Sequence, residues 1–465
     1  MAFDPKMGKT VSEPSINQSV GDQTGASIDT AKQAFGPIAG NRWVQLIAGL
    51  IAMIVISNYQ YGFTLFAPGI QKSLGLTQTQ YPLVAAIFTL FVLFETWPVP
   101  VAGILVDKLG IRKLMMLGAL GVLIGWVLGG TIAHTITDLY IYYGVISGTG
   151  AGIIYVSCVG NAVKWFPDRR GLAAGLTAAG FGGGAALTII PISDSIGTYG
   201  WAGAMAIWGV AQGVIALIMA LIMRHPPAQW KPAGWQEKKV STAVVQTKVE
   251  YPWYKTLKAP EFWLLYVMFT LVATGGLMTT GNLSQIANSL KVGNVVFFGV
   301  GIVALTVTLT GITNALARIV WGSISDKLGR EITMTIAFAL EAVLIALVLA
   351  IAGNPVAFVI LLPFVFLSWG EIYALFSAIT GDIFGPKNAT ANYGMLYTAK
   401  GLASILAGYG AAAVAVAFAG SFQVPYIISA IFDAVAAVLA ITVLRQIIRS
   451  RITKEVSVAP VTRKA

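Results

Sequence analysis

Twelve mostly apolar stretches, each long enough to cross a bilayer, constrain the fold of this chain more than any other feature. A membrane helix needs roughly 20 such residues to cross about 30 Å of hydrocarbon, and lipid leaves open backbone structures without hydrogen-bond partners. Only 11% of the residues are charged, against about 25% in soluble domains. We therefore predict an all-α membrane protein of twelve transmembrane helices, called spans 1 to 12. Their predicted limits are 43–66, 82–106, 114–133, 138–163, 171–196, 201–223, 261–286, 295–321, 332–352, 355–381, 391–418 and 424–446.

The basic residues are distributed unevenly between the two ends of these spans. Of 30 Lys and Arg residues, 26 lie in the tails and in the connections on the same side as the tails. Lys72 and Lys291 lie on the opposite side. Because basic residues favour the cytoplasmic side of a membrane, the sequence predicts that both termini are cytoplasmic.

The two remaining cations, Arg318 in span 8 and Lys400 in span 11, lie inside the predicted membrane region. At 1.5 Å per helical residue, Lys400 is roughly 13 Å and Arg318 roughly 12 Å from the cytoplasmic ends of their spans. A charge at such depth costs at least ~2.5–3.5 kcal/mol and indicates a functional path by default. The pair predicts a site for a small carboxylate, which Arg318 would grip with its planar fork while Lys400 acts as a point charge.

Buried acids leave a structural interpretation of these cations open. Glu95 in span 2 and Glu371 in span 10 lie at similar depth and are candidate partners, whereas Glu341 and Asp433 are expected to have packing or interfacial roles. If Glu95 and Glu371 were ionised, the site would sum to about zero charge and suit a dianion poorly. If they are protonated, as burial favours, the site keeps two positive charges. Either acid is also a candidate for proton coupling or gating.

The chain contains an internal repeat. GILVDKLGIRK follows span 2 and GSISDKLGRE follows span 8, so that Gly103 and Gly322 lie 219 residues apart. Parallel repeats of six helices are an architecture of secondary transporters. The pattern G-x-x-x-D-K-x-G in both loops resembles the signature of the major facilitator superfamily. That resemblance implies two pseudo-symmetric six-helix bundles and alternating access, with the motif residues latching the halves: Asp107, Lys108, Asp326 and Lys327.

The repeat divides the chain into five predicted parts. These are a disordered cytoplasmic tail over 1–40, a six-helix bundle over 41–223, a cytoplasmic linker over 224–258, a second six-helix bundle over 259–446 and a cytoplasmic tail over 447–465. Glycines crowd span 5, where small residues allow close helix packing. They are Gly171, Gly175, Gly180, Gly182, Gly183 and Gly184.

Several short stretches are similar to the bacterial oxalate:formate antiporters, including QYGFTLFAP, WFPDRRGLAAG, SWGEIYALF and YTAKGLAS. That resemblance implies that Arg318 and Lys400 hold a dicarboxylate. It extends the expected site to Gln60, Tyr61, Tyr155, Trp369 and Tyr373. Tyr397, three residues before Lys400, stands where the best-known member has a tryptophan, and it completes the expected site.

The same resemblance implies a transporter of the bacterial inner membrane with oxalate and formate as partners, no cofactor, no metal and no nucleic acid, and a monomer by default. An empty site with two unpaired cations would disfavour crossing without a ligand. We therefore expect exchange of oxalate for formate rather than uniport, with net movement of charge.

Four alternatives to antiport differ in how far the sequence supports them. A proton-coupled lactate or pyruvate symporter, with Glu371 as the proton site, stays open, as does a transporter-like membrane sensor. An enzyme is not predicted, because His134 and His225 lie at span ends and the chain has no metal-ligand spacing. An ATP-driven pump is not predicted either, because the G-x-x-x-x-G-K-[ST] phosphate loop does not occur in the sequence.

Overall fold

The computed structural model describes residues 31, 34–227, 230–232, 247, 249–351, 353–385, 388–448 and 450. Most of the two predicted tails, and much of the predicted linker, lie outside the described residues.

The described chain is a bundle of long helices. Eleven of its helical segments are long and apolar enough to cross a membrane. The longest, Arg170–Ile222, contains predicted spans 5 and 6, which are separated at Gly200 by a non-helical backbone conformation (φ 72°, ψ 171°). All twelve predicted spans therefore contain helix, and the prediction of an all-α membrane protein is confirmed. The predicted start of span 8 at residue 295 is wrong, because residues 296–301 form a β-hairpin and the helix begins at Ile302.

The spans have the following bounds, with internal breaks where two or more helices are given. They are Arg42–Tyr61 and Phe63–Ser73 (span 1), Tyr81–Thr96 and Val99–Leu109 (span 2), Ile111–Thr131 (span 3), Ile136–Leu139, Tyr140–Ser147 and Gly148–Trp165 (span 4), Arg170–Gly183 and Ala185–Ile222 (spans 5 and 6), Pro260–Ser289 (span 7), Ile302–Leu328 (span 8), Arg330–Ile351 (span 9), Pro355–Trp369 and Ile372–Phe384 (span 10), Ala389–Ile405, Leu406–Gly410 and Ala411–Ala417 (span 11), and Gln423–Leu439 and Ala440–Leu444 (span 12).

Between the spans, the described residues form two short helices and one β-hairpin. Gln78–Gln80 is a turn of 3-10 helix before span 2, and Trp253–Thr256 is a short helix before span 7. Val296–Phe297 and Val300–Gly301 pair as an antiparallel hairpin between spans 7 and 8.

Two spans are interrupted next to a buried acid. Span 2 breaks at Trp97 and Pro98, two residues after Glu95, because proline cannot donate a helical hydrogen bond. Span 10 breaks at Gly370 and Glu371, where a Cβ on Gly370 would lie 2.6 Å from Asn314 Oδ1 and 2.7 Å from the Ala317 Cβ. The close approach of span 8 therefore requires glycine at this break.

The internal repeat is visible in the backbone. Gly110 ends the second helix of span 2 with φ 90° and ψ 142°, and Gly329 ends span 8 with φ 90° and ψ 156°. These dihedrals lie in or next to a region that only glycine occupies without strain. The same turn thus follows span 2 and span 8, as the repeated motif predicts.

The charged motif residues form ion pairs within each half of the chain. Asp107 pairs with Lys164, and Asp326 pairs with Arg330 at 2.7 Å, while Arg330 also reaches Asp382 at 2.9 Å. Lys108 and Lys327 are exposed. Among the ion pairs of the described residues, none made by these motif residues joins the halves in this conformation, so the latch stays a prediction.

The glycines of span 5 divide into two groups. A Cβ on Gly180, Gly182, Gly183 or Gly184 would lie closer than van der Waals contact to atoms of span 1 or span 8. For Gly183, the Ala315 Cβ lies only 2.8 Å from the Cβ position. Gly171 and Gly175 have nothing within 4 Å of that position. Close packing therefore explains the four glycines in the middle of the membrane and does not explain the first two.

We expect opposite stability changes from alanine at different glycines of the repeated motif. Gly110→Ala and Gly329→Ala should each destabilise the protein by about 1–3 kcal/mol, because the turn is strained for any residue with a Cβ. Gly322→Ala, in the helical part of the same motif with nothing within 4 Å, should be neutral or stabilising by about 0.5–1 kcal/mol. Thermal unfolding of the purified variants in detergent would measure this, and equal shifts at all three positions would contradict the prediction.

Candidate functional site

Lys400 lies at the centre of the bundle with its ammonium group completely enclosed. Its Nζ donates to both carboxylate oxygens of Glu95, at 3.0 and 2.9 Å, and to Gln60 Oε1 at 2.7 Å. Tyr397 OH lies 3.1 Å from Nζ and donates to Glu95 at 3.4 Å. Both side chains of the Lys400–Glu95 pair are 0% exposed. Of the candidate acids, Glu95 is therefore the partner of Lys400.

The local sequence explains how Glu95 reaches this position. It is in the last turn of the first helix of span 2, immediately before the break at Trp97 and Pro98. Gly152 of span 4 allows close packing there, because a Cβ on it would lie 2.1 Å from the Glu95 carbonyl oxygen. Tyr397 and Lys400 are i and i+3 on span 11 and therefore share a helix face.

Arg318 lies nearby, and one edge of its guanidinium has no hydrogen-bond partner. Nη1 donates to the carbonyl oxygen of Ala178 in span 5. Nε and Nη2 have no hydrogen-bond partner in the described part of the chain. The guanidinium carbon lies 4.4 Å from the centroid of the Tyr373 ring, a distance at which a cation–π attraction is expected. Nε and Nη2 form the side-on fork of N–H groups that matches a carboxylate.

Aromatic rings enclose both cations. Tyr155 and Tyr397 stack with centroids 5.1 Å apart, and Tyr373 packs against Tyr397 at 6.3 Å and against Trp369 at 5.5 Å. Lys400 Nζ also lies 5.3 Å from the Phe181 ring. These rings give the cavity slim apolar walls with hydroxyl groups at their edges.

The site is closed towards both ends of the bundle. The most exposed of the eight predicted binding residues is Tyr155, at 6%. Towards the end away from the repeated motifs, Thr64 of span 1 bonds Ser284 of span 7, and Gln285 bonds Gln71 at 2.9 Å. Towards the motifs, span 11 packs against span 2 at Gly394, where a Cβ would lie 3.7 Å from Val99 Cγ1. The structure therefore has the form of a closed carrier.

Several buried hydrogen-bond donors in this cavity have no acceptor among the described residues. They are Arg318 Nε, Arg318 Nη2, Gln60 Nε2, Tyr373 OH and Trp369 Nε1. A buried donor without an acceptor costs about 1–3 kcal/mol, and more when charged. A small ligand rich in acceptor oxygens would relieve that cost.

The structure brings together all eight predicted binding residues and one of the two predicted acids. Glu371 is the exception, because both its carboxyl oxygens lack a hydrogen-bond donor within the described residues and it forms no ion pair there. Glu341 and Asp433 are both 0% exposed. Of the packing or interfacial roles expected for them, complete burial agrees with packing.

Three groups at the site were missed by sequence reasoning. Asn314, one helical turn before Arg318, donates to Tyr61 OH at 3.0 Å and to the Gly182 carbonyl at 3.3 Å. Its polar side chain on the face of Arg318 was a usable signal. The Phe181 ring and the Ala178 carbonyl carry no such signal, because ring packing and backbone direction depend on tertiary structure.

Comparison with known proteins agrees with this architecture. The family model for the Major Facilitator Superfamily matches residues 46–307 and 283–460. The Oxalate:formate antiporter of Oxalobacter formigenes is 34% identical over 91% of this chain and 96% of that protein. The uncharacterized MFS-type transporter YhjX of Escherichia coli (strain K12) is 30% identical over 78% of this chain and 86% of that protein. Mouse Monocarboxylate transporter 14 matches a smaller part, at 32% identity over 28% of this chain and 25% of that protein.

The helices, the repeated turn and these similarities lead to one assignment. The twelve predicted spans form the fold typical of this family, and its characterised relatives are transporters rather than enzymes. The chain belongs to the major facilitator superfamily and is a multi-pass membrane transporter of the oxalate:formate antiporter family.

Proposed function

We propose that this protein carries small carboxylate anions across the bacterial inner membrane by alternating access, with exchange of oxalate for formate as the first candidate reaction. The observation that carries this proposal is the free edge of Arg318, which is buried beside Lys400 and surrounded by donors without acceptors. A carboxylate would accept two N–H bonds from that edge and further bonds from Gln60 and Tyr373.

The similarity to the Oxalobacter formigenes protein supports the choice of substrate. That relative is named an Oxalate:formate antiporter, and the match covers 96% of its length. The two cations that the resemblance assigns to a dicarboxylate, Arg318 and Lys400, also face the same cavity here.

The ion pair between Glu95 and Lys400 gives the empty site a smaller net positive charge than the sequence analysis expected. The expectation of obligatory exchange assumed two unpaired cations in the empty site. In the structure Lys400 is neutralised by Glu95, so only the charge of Arg318 lacks a counter-ion among the described residues. A net charge of one favours a monoanion, and a dianion would have to displace Glu95 from Lys400.

A net positive charge of one supports a second candidate function, that of a proton-coupled monocarboxylate carrier. If Glu95 takes up a proton when the substrate binds, Lys400 becomes available to the anion, and proton and anion move together. The partial similarity to a monocarboxylate transporter is consistent with this alternative. A transporter-like sensor is the remaining alternative, and it would bind the anion without flux.

The proposed orientation has both termini in the cytoplasm, which the distribution of basic residues supports. A monomer is the proposed functional unit, since the site is built from the two halves of one chain. No cofactor is required by the proposed cycle, because the substrate gradient drives transport.

Uptake of labelled oxalate into proteoliposomes tests the proposed function directly. With formate or oxalate trapped inside, we expect rapid uptake that requires this internal counter-substrate, because exchange is driven by it. Uptake that follows an inward proton gradient without any internal counter-substrate, or that occurs only with lactate or pyruvate, would favour the second candidate. Specific binding of oxalate without flux of any carboxylate would favour the sensor.

Arg318→Ala and Lys400→Ala should each reduce oxalate exchange more than tenfold. Truncating one side of a buried charged contact costs about 2–5 kcal/mol. Arg112→Ala and Lys72→Ala remove exposed cations of the same types and serve as matched controls. Initial rates in proteoliposomes would measure the effect, and full exchange by either cavity variant would contradict the proposed binding site.

Glu95→Gln should shift selectivity towards the dianion. The variant leaves Lys400 with an uncompensated charge, and loss of one partner of a buried pair costs about 3–5 kcal/mol of stability. Oxalate can restore that charge balance, so we expect the ratio of oxalate to formate affinity to rise about tenfold, a gain of about 1.4 kcal/mol.

The ligand-induced rise in unfolding temperature of the purified variant would report this shift. Glu331→Gln, which removes a half-buried acid at the start of span 9, is the matched control. An unchanged oxalate-to-formate ratio in Glu95→Gln would show that Glu95 does not compete with the substrate for Lys400.

A further inference from the structure

A second set of buried polar groups lies in the C-terminal half, apart from Arg318 and Lys400. Glu341 of span 9, Glu371 at the break of span 10 and Asp433 of span 12 are each 0% exposed. All six of their carboxyl oxygens lack a hydrogen-bond donor among the described residues. We call these three side chains, together with the Ser429 hydroxyl, the acid cluster.

The members of the acid cluster are neighbours in space. Glu341 interacts electrostatically with both Asp433 and Glu371, and Glu371 interacts with Asp433. Ser429 and Asp433 are one helical turn apart on span 12 and share a face. A Cβ on Gly275 of span 7 would lie 2.4 Å from Ser429 Oγ and 3.5 Å from Glu341 Oε1, which places both groups around one point.

The Ser429 hydroxyl is an independent sign that the acid cluster binds something. Its oxygen is buried and has no hydrogen-bond partner among the described residues. A hydroxyl that faces carboxyl groups can donate to an ionised carboxyl or accept from a protonated one. Its position therefore suits a group whose protonation changes.

Among the described residues of the surrounding helices, no cation forms an ion pair with the acid cluster. Span 8 contributes Arg318, whose Nη1 bonds Ala178 and whose guanidinium faces the Tyr373 ring in the central cavity. Span 12 contributes Tyr426, which is bonded to Thr279 of span 7 at 3.0 Å. Three ionised carboxyl groups in an apolar interior without a cation would be prohibitively costly, so the acid cluster must hold protons. The described residues contain no group of three or more His, Cys, Asp or Glu side chains placed to hold a metal ion.

The acid cluster is linked to the central cavity through span 10. Glu371 lies between Trp369 and Tyr373, which both line the cavity, and the helix is interrupted at Gly370 and Glu371. A Cβ on Gly276 would lie 2.2 Å from the Trp369 ring, so consecutive glycines of span 7 contact Trp369 and the Ser429–Glu341 pair. Movement of span 10 at its break would therefore change both sites together.

We propose that the acid cluster is a proton-binding site whose occupancy changes when the anion binds in the central cavity, so that protons are coupled to carboxylate transport. Binding of an anion beside Tyr373 moves the break of span 10, and Glu371 then gains or loses its proton relative to Glu341 and Asp433. This inference rests on the proposed transport of carboxylates and adds a site that lies outside the substrate contacts.

Infrared spectroscopy of the purified full-length protein tests the proposal without requiring transport. A protonated carboxyl group has a C=O stretching band that an ionised one lacks. We expect oxalate to change the intensity of that band in the wild type, and the change to disappear in Glu371→Gln and in Asp433→Asn. A band that is insensitive to oxalate would show permanently protonated structural acids and would overturn the proposal.

Proton flux in proteoliposomes gives the second measurement. With a pH-sensitive dye trapped inside, we expect labelled oxalate uptake by the wild type to be accompanied by proton movement. The proton-to-anion ratio should fall at least several-fold in Glu341→Gln, Glu371→Gln and Ser429→Ala, whereas Glu331→Gln should keep the wild-type ratio. Anion flux without proton movement in the wild type would overturn the coupling alone, whereas absence of any carboxylate flux would overturn the proposed function itself.

Discussion

The cost of burying a charge in a membrane protein organises the centre of this structure. Lys400 is 0% exposed, and the neighbouring groups satisfy its ammonium: the Glu95 carboxylate, Gln60 Oε1 and the Tyr397 hydroxyl. A buried ion pair is held only when geometry and additional hydrogen bonds compensate for lost hydration. The break in span 2 after Glu95 and the close approach of span 4 at Gly152 are the local features that make this geometry possible.

The two cations differ in how completely their charges are satisfied. Lys400 has four contacts to oxygen atoms, whereas Arg318 donates once, to Ala178, and otherwise faces aromatic rings. The asymmetry follows from the surrounding acceptors, because they satisfy the ammonium, whereas the guanidinium has five N–H donors and its Nε and Nη2 have no acceptor among the described residues. A substrate carboxylate would therefore meet Arg318 first and would compete with Glu95 for Lys400.

The sequence alone predicted the fold well, because hydrophobic length and the distribution of cations are strong signals. The repeated D-K-x-G turn also has nearly the same backbone geometry at Gly110 and Gly329. From the sequence, the site could be predicted where a single cation stands inside an apolar span, as Arg318 and Lys400 do. Their partners were not predictable, since Glu95 and Glu371 look equivalent in sequence. Only the three-dimensional packing shows that Glu95 pairs with Lys400, whereas Glu371 lies near the acids Glu341 and Asp433.

Most of the hydrogen bonds at the centre join the two halves of the chain. Lys400 contacts Gln60 and Glu95, Arg318 contacts Ala178, and Asn314 contacts Tyr61, in each case with one residue from each half. The groups that would recognise the anion are thus the same groups that hold the carrier shut. Affinity and turnover are therefore not independent properties of this protein, because any change that strengthens the central contacts also raises the barrier to opening on either side of the membrane.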